Sequence, residues 1–136
     1  MNVFRDSERF NTIVCCSEDA AMTHKSEDLK IAGVKILPVE HDENANLVFP
    51  GMLQGLYENY NIASIMVEGG SGIYSAFAGD GLIDEVQLFI APKLFGGALQ
   101  SFGSFMINNL SESVNFRIRA LSMSGPDVHV IALKEE

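Results

Sequence analysis

The feature that most constrains this chain is an apolar run that ends in an acidic residue and a glycine-rich turn. The run Ile62–Val67 is continuous and contains β-branched residues, which is typical of a strand buried on both faces of a parallel sheet. Glu68 follows directly, and Gly69–Gly72 then opens a short helix predicted over Ile73–Ala78. Because the amides of a first helical turn have no helical partner, this order predicts a phosphate pocket.

The rest of the pattern predicts an α/β fold in one domain spanning residues 1–136. The expected elements are strands at Phe10–Cys16, Val34–Leu37 (ended by Pro38) and Asp84–Ala91, a loop or irregular helix at Ser17–Leu29, a helix at Pro50–Asn61, and paired strands at Asn115–Ser124 and Val128–Lys134. Helix-linked strands favour parallel pairing, so we expect a mixed, mostly parallel sheet flanked by helices, with a C-terminal antiparallel hairpin. A phase slip between Ala120 and Leu121 predicts a bulge or a bend in that hairpin.

Composition excludes several classes of partner. The formal net charge is −9, from 18 acidic and 9 basic residues, so nucleic acids and anionic membrane surfaces are unexpected partners. No apolar run approaches the ~18 residues that a membrane-spanning helix needs. The two cysteines, Cys15 and Cys16, are adjacent, and a disulfide between them would be strained. We therefore expect free thiols in a reducing, cytoplasmic setting.

The glycine-rich turn leaves two interpretations open. Gly70-x-Gly72-x-x-Ser75 only approaches the dinucleotide fingerprint, and a turn without any ligand is the alternative. Ser71 is expected either to cap the helix or to contact a phosphate oxygen. A carboxylate would repel a pyrophosphate, so Glu68 is expected to face a substrate with hydrogen-bond donors, or else to be solvated at a strand end.

Four segments together resemble a known family. They are Ile65–Gly70, Gly81–Glu85, Ile90–Gly97 and Gly125–Asp127. In order and spacing they are similar to the reductase domain of the bifunctional riboflavin biosynthesis deaminase–reductase, over about Val3–Leu133. The resemblance implies a dihydrofolate reductase-like fold. It also implies NADPH-dependent reduction of the ribosyl side chain of a phosphorylated aminopyrimidine to a ribityl chain.

The resemblance also implies which residues form the site. Glu68 would contact the substrate. The residues that would line the NADPH phosphates and nearby ribose are Gly70, Ser71, Gly72, Ile73, Tyr74, Ser75 and Ala76. Ser7 would lie near the adenosine end of the cofactor, with an ordinary turn serine as the alternative.

No residue type points to a general acid. The three histidines are scattered and without an evident partner, so each is expected to be a surface or hairpin residue: His24, His41 and His129. Three basic residues are expected to be solvated charges on strand faces rather than phosphate ligands: Lys93, Arg117 and Arg119.

The chain also departs from the family. That family's reductase begins well before the position of Met1. The deaminase motif P-C-x-x-C does not occur here, so the H-x-E triplet at His41–Glu43 stands without its partner motif. We therefore expect the C-terminal part of a reductase domain, which does not complete a reductase site unless another chain supplies the missing part.

Two other functions remain open at this level. A related reductase of the same fold could act on a pterin. A non-catalytic assembly module is the other, because the hairpin offers edge strands that pair readily with a second copy. A homodimer is expected in either case, since closed two-fold dimers are the commonest oligomers.

Overall fold

A computed structural model describes residues 11–44, 46–94, 96, 101–103 and 107–135, without the side chain of Leu110. The chain divides into two compact units, Met1–Met66 and Val67–Glu136. Each unit is described here by itself. The single domain expected over residues 1–136 stays a prediction.

Within its described residues, the first unit contains two parallel strands and three helices. Strand β1 (Ile13–Ser17) is followed by the short helix α1 (Glu18–Ala21) and by α2 (His24–Ile31), then by strand β2 (Lys35–Val39) and helix α3 (Phe49–Tyr60). Strands β1 and β2 pair in parallel, from Ile13 opposite Lys35 to Ser17 opposite Val39. The two short helices replace the loop or irregular helix expected at Ser17–Leu29. Ser17 and Thr23 each cap a helix with a side-chain oxygen.

Strand β2 continues through Pro38, where the sequence predicted its end. The Lys35 amide donates to the Thr12 carbonyl at 2.9 Å. Because backbone groups alternate sides along a strand, the nitrogen of Pro38, three residues later, faces away from β1. A proline is tolerated at such a position because it removes no ladder hydrogen bond.

The core of the first unit lies between β2 and α3. Leu37, Val39 and Leu56 are buried, and half-buried residues that include Ile13 and Met52 pack around them. Gly55 brings the helix close, since a Cβ there would lie 3.2 Å from a Leu37 methyl group. The helix predicted at Pro50–Asn61 is confirmed with its bounds shifted by one residue, and it ends where Asn61 turns left-handed at φ 56°.

The described part of the second unit contains helix α4 (Ser71–Gly79), strand β3 (Glu85–Ile90), a 3₁₀ turn (Leu110–Glu112), strand β4 (Phe116–Ser124) and strand β5 (Asp127–Lys134). The three strands form an antiparallel sheet in the order β3-β5-β4. The predicted hairpin and its bulge are confirmed, with the register shift between Ile118 and Ala120. Gly125 has φ +61°, as the first position of a tight hairpin turn before Pro126 requires.

One face of this three-stranded sheet is apolar over three successive rows, which end at the Phe116–Lys134 pair. Residues directly opposite in an antiparallel ladder share a face, and the printed register places nine apolar residues in three cross-strand rows: Val86–Ala132–Ile118, Leu88–Val130–Leu121 and Ile90–Val128–Met123. The other face is mixed, with rows such as Phe89–His129–Ser122. We call the first of these the apolar face.

The strand expected at Ile62–Val67 is not formed within the described residues. A strand needs a neighbour for its hydrogen bonds, and in the described part of the chain β1 pairs with β2 while β3 and β4 pair with β5. The segment is also not buried on both faces, since Ile65 is 41% and Met66 78% exposed. Parallel pairing, expected for most of the sheet, is therefore confined here to β1 and β2.

Candidate functional site

The glycine-rich turn forms a corner at the start of α4, which we call the glycine corner (Glu68–Ile73). Gly70 is the N-cap, with extended backbone at φ −86° and ψ 178°, and no described side chain caps the helix. The Tyr74 amide donates to the Gly70 carbonyl at 3.2 Å. The amides of Ser71, Gly72 and Ile73 precede this bond and have no acceptor within the helix. Ser71 is thus the first helical residue and not the N-cap that the sequence allowed, because the extended residue is Gly70.

The glycines of the corner differ in what requires them. A Cβ on Gly69 would lie 2.9 Å from the Cβ of Ile73, so packing within the chain excludes a side chain there. A Cβ on Gly70 or Gly72 would meet no atom of the described residues within 4 Å. Gly70 is extended and Gly72 is helical, so neither needs glycine for its backbone conformation. The space in front of these two residues is open to a ligand.

Tyr74 folds back onto the corner. Its hydroxyl oxygen accepts a hydrogen bond from the Gly69 amide at 3.1 Å. Its ring lies 5.9 Å from the ring of Phe102, centroid to centroid, at 45°. Sequence reasoning missed both contacts. The signal for the first was the spacing of Gly69 and Tyr74, which stand at the positions N′ and N4 where side chains often pack across a helix start.

The structure brings most of the expected site residues to the corner. Glu68, Gly70, Ser71 and Gly72 are exposed there, and Ile73 is 43% exposed. Further along α4, Ser75 is buried at 5% exposure, so it has little surface for a ligand, and Ala76 is half-buried. Ser7 lies outside the described residues.

Two of the three histidines have polar side-chain neighbours, which the sequence did not predict. His24 lies 3.4 Å from the Glu27 carboxylate, with both side chains exposed. His129 stacks on Phe89 at 4.2 Å between centroids, and its Nε2 lies 3.2 Å from Gln87 Oε1. Both residues are placed as expected, one on a surface helix and one in the hairpin.

Two of the three basic residues match their expected setting. Arg117 and Arg119 lie on strand β4, where Arg117 is exposed and Arg119 lies 3.6 Å from the Glu85 carboxylate. Such exposed pairs contribute little to stability, so both are solvated charges on a strand face. Lys93 is also exposed, but it follows the end of β3 at Ile90 and therefore does not lie on a strand face.

In the first unit both cysteines are free thiols. Burial raises the pKa of the Cys15 thiol, and the adjacent Cys16 adds to the effect. A raised pKa disfavours the reactive thiolate. Within the described residues no group of three or more histidine, cysteine or acidic side chains is arranged to hold a metal ion, and none of the helices is long and apolar enough to span a membrane.

Comparison with known proteins gives concordant results. Residues 1–130 match the family described as the RibD C-terminal domain. Riboflavin biosynthesis protein RibD of Aquifex aeolicus (strain VF5) is 32% identical over 123 residues, which is 90% of this chain and 32% of that protein. RibD of Bacillus amyloliquefaciens is 27% identical over 114 residues, or 82% of this chain and 30% of that protein.

Solved structures show the same fold. A pyrimidine reductase-like protein from Corynebacterium diphtheriae matches with a TM-score of 0.67 at 18% identity, over 91% of this chain and 50% of that one. The riboflavin biosynthesis reductase Rib7 of Saccharomyces cerevisiae matches with a TM-score of 0.65 at 16% identity, over 91% and 55%. These likenesses establish the fold, and the expected α/β class with its C-terminal hairpin is confirmed.

The chain spans about a third of the length of the curated relatives it matches. The family match covers nearly all of it, and the Aquifex protein exceeds 30% identity over nine-tenths of it. The chain therefore belongs to the family of the RibD C-terminal domain.

Proposed function

We propose that this chain provides the NADPH-binding part of a reductase in riboflavin biosynthesis. The reaction is reduction of the ribosyl side chain of a phosphoribosylamino-pyrimidine to a ribityl chain. Family membership supports the reaction class. The main support for placing the cofactor here is the open space at Gly70 and Gly72. Neither packing nor backbone conformation requires glycine at these two positions.

The glycine corner suits the phosphates of a dinucleotide. A phosphate approaching Gly70 and Gly72 would meet the amides of Ser71, Gly72 and Ile73 at the positive end of the α4 dipole. This mode of binding needs no lysine or arginine, which fits a chain with a net charge of −9. NADPH, when bound, would supply the hydride, while the protein holds and orients it.

Glu68 is proposed to contact the substrate. It is exposed and stands two residues before the N-cap, outside the helix. A carboxylate turned toward the phosphates would oppose their binding, so its useful partners are donors on the pyrimidine or its sugar. Glu68→Gln should raise the KM for the pyrimidine by about tenfold, the value of one charged hydrogen bond, and leave NADPH affinity unchanged. An equal loss of NADPH affinity would contradict this role.

The cofactor proposal is tested by adding a negative charge to the corner. Asp in a first helical turn favours the helix, so Gly72→Asp should fold normally yet repel phosphate. We expect NADPH to raise the Tm of the wild-type protein at its natural length and to leave the Tm of Gly72→Asp unchanged. The matched control is Gly51→Asp, an exposed glycine in the first turn of α3 with open space for a Cβ.

The control should keep the full NADPH-induced shift. Absence of any NADPH protection in the wild-type protein would overturn the proposed function. If NADPH raised the Tm of Gly72→Asp as much as that of the wild-type protein, the cofactor would have to bind away from this corner.

We also propose that the native protein is a homodimer that forms through the apolar face. On that face Leu88, Ile90, Ile118, Leu121 and Met123 are between 44% and 68% exposed, and monomers rarely expose contiguous apolar patches above a few hundred Å². We favour a second copy of this chain as the partner that covers the apolar face. A two-fold axis sets the same three apolar rows against each other. These rows carry no charge, so two copies of net charge −9 repel least there. The free thiols support a reducing, cytoplasmic location.

A further inference from the structure

Tyr74 contacts the glycine corner and a second segment of the same unit. Its hydroxyl accepts from the Gly69 amide at 3.1 Å, and its ring packs at 5.9 Å from the ring of Phe102. Gly69 directly precedes the N-cap, and Tyr74 is the fourth helical residue. In many helices these two positions carry an apolar pair that fixes the angle at which the chain joins the helix.

The usual means of fixing that angle are missing here. Gly69 cannot carry an apolar side chain, because a Cβ would lie 2.9 Å from the Cβ of Ile73. Gly70 has no side chain with which to cap the helix. Side chains of a helix lean toward its N-terminus, so a tyrosine at the fourth position reaches the residue before the cap. The hydrogen bond from the Gly69 amide to the Tyr74 hydroxyl takes the place of both the apolar pair and the side-chain cap.

We propose that Tyr74 is a positioning residue, which holds the Glu68–Gly70 backbone in the orientation that NADPH binding requires. The inference rests on the proposed function. It assigns Tyr74 a different role from the direct cofactor contact that the family resemblance implies. The Gly69 amide is already engaged by the tyrosine, so the amides left for phosphate are those of Gly70 and the first helical turn.

Two substitutions separate the parts of this role. Tyr74→Phe removes the acceptor for the Gly69 amide and keeps the ring beside Phe102. Tyr74→Ala removes both contacts. Tyr57→Phe is the matched control, because it removes the hydroxyl of an exposed tyrosine on α3.

The test combines two measurements on the protein at its natural length. The first is the hydrogen-exchange rate of the Gly69 amide, followed by NMR without ligand. The second is the Kd for NADPH from titration calorimetry. In Tyr74→Phe we expect faster Gly69 exchange and an NADPH Kd raised by about 3- to 10-fold, the range set by one neutral hydrogen bond. Tyr74→Ala should weaken NADPH binding further, and Tyr57→Phe should change neither quantity.

The outcomes separate this inference from the proposed function. If the Gly69 amide exchanges at an unchanged rate in Tyr74→Phe, the Tyr74 hydroxyl does not restrain that amide and the inference is overturned. Faster exchange with an unchanged Kd overturns the positioning role and leaves the cofactor proposal standing. A wild-type protein that does not bind NADPH overturns the proposed function, and the positioning role with it.

Discussion

The two sheets in the described part of the chain differ in how much their apolar side chains are exposed. In the parallel pair β1–β2, Leu37 and Val39 are 6% and 5% exposed beneath helix α3. In the antiparallel sheet, Leu121 and Met123 on the apolar face are 68% and 66% exposed. The strands of both sheets carry apolar residues, so an apolar side chain on a strand is not by itself enough to ensure burial. What differs is whether another element covers the face, and for the apolar face we propose a second copy.

The sharpest test of this contrast compares two leucines. Leu56→Ala should destabilise the fold by about 2–5 kcal/mol, because it empties part of a packed core. Leu121→Ala should change the stability of the dilute protein by less than about 0.5 kcal/mol, as exposed substitutions do. Urea unfolding at low protein concentration measures both. Equal losses would show that the two sheets are equally covered within one chain.

A charge on the apolar face tests what covers it. Leu121→Lys should raise the dimer dissociation constant by about 30-fold or more, the effect of losing one central contact of about 2 kcal/mol. Ser122→Lys adds the same charge at the adjacent residue, on the mixed face, and should leave the constant nearly unchanged. Sedimentation equilibrium distinguishes them. Dimerisation that is insensitive to both changes, or equally sensitive, would exclude the apolar face as the interface.

Within the second unit, the glycine corner is tightly packed on one side, at Gly69. Gly69→Ala places a methyl group against Ile73 and should destabilise the fold by about 1–3 kcal/mol, as overpacking does. Gly72→Ala meets open space and should stabilise α4 by up to about 1 kcal/mol through helix propensity. Thermal unfolding measures whether each substitution raises or lowers the stability. Destabilisation of similar size in both variants would contradict the packing described for the corner.

The smallest expected effect lies in the loop between β2 and α3. Hydrogen bonds from the Asn46 amide and side chain and from the Asn44 amide hold the pKa of Asp42 below its usual value of 3.8. A depressed folded-state pKa contributes stability above the unfolded value and loses it as pH falls through the folded one. Asp42→Ala should therefore be slightly less stable than wild type at pH 7, with the difference vanishing at acid pH. A difference that persists or grows at low pH would contradict this assignment.

Local patterns predicted much of the fold. The hairpin, its bulge and the Gly125–Pro126 turn depend on neighbouring residues, and helix α3 depends on a periodicity within twelve residues. The ladder expected at Ile62–Val67 depends on a partner strand, which no local pattern supplies. The extension of β2 through Pro38 depends on which side of the strand is paired.

For the candidate site, the sequence predicted the location but not the detailed contacts. The glycine motif located the corner, because glycines between an apolar run and a helix are a local signal. It did not identify the N-cap as Gly70 in place of Ser71, a difference of one residue in backbone conformation. The Tyr74 contacts require knowing how a side chain folds back over the helix start, and the role of Gly69 requires the position of the Ile73 Cβ.

The central claim is that the first amides of α4 bind the phosphates of NADPH. Backbone amide NMR of the protein at its natural length, with and without NADPH, measures this directly. We expect the amide signals of Gly70, Ser71, Gly72 and Ile73 to shift most, while those of Gly51 and Met52 in the first turn of α3 stay in place. Shifts that spare the glycine corner while NADPH binds elsewhere would contradict it.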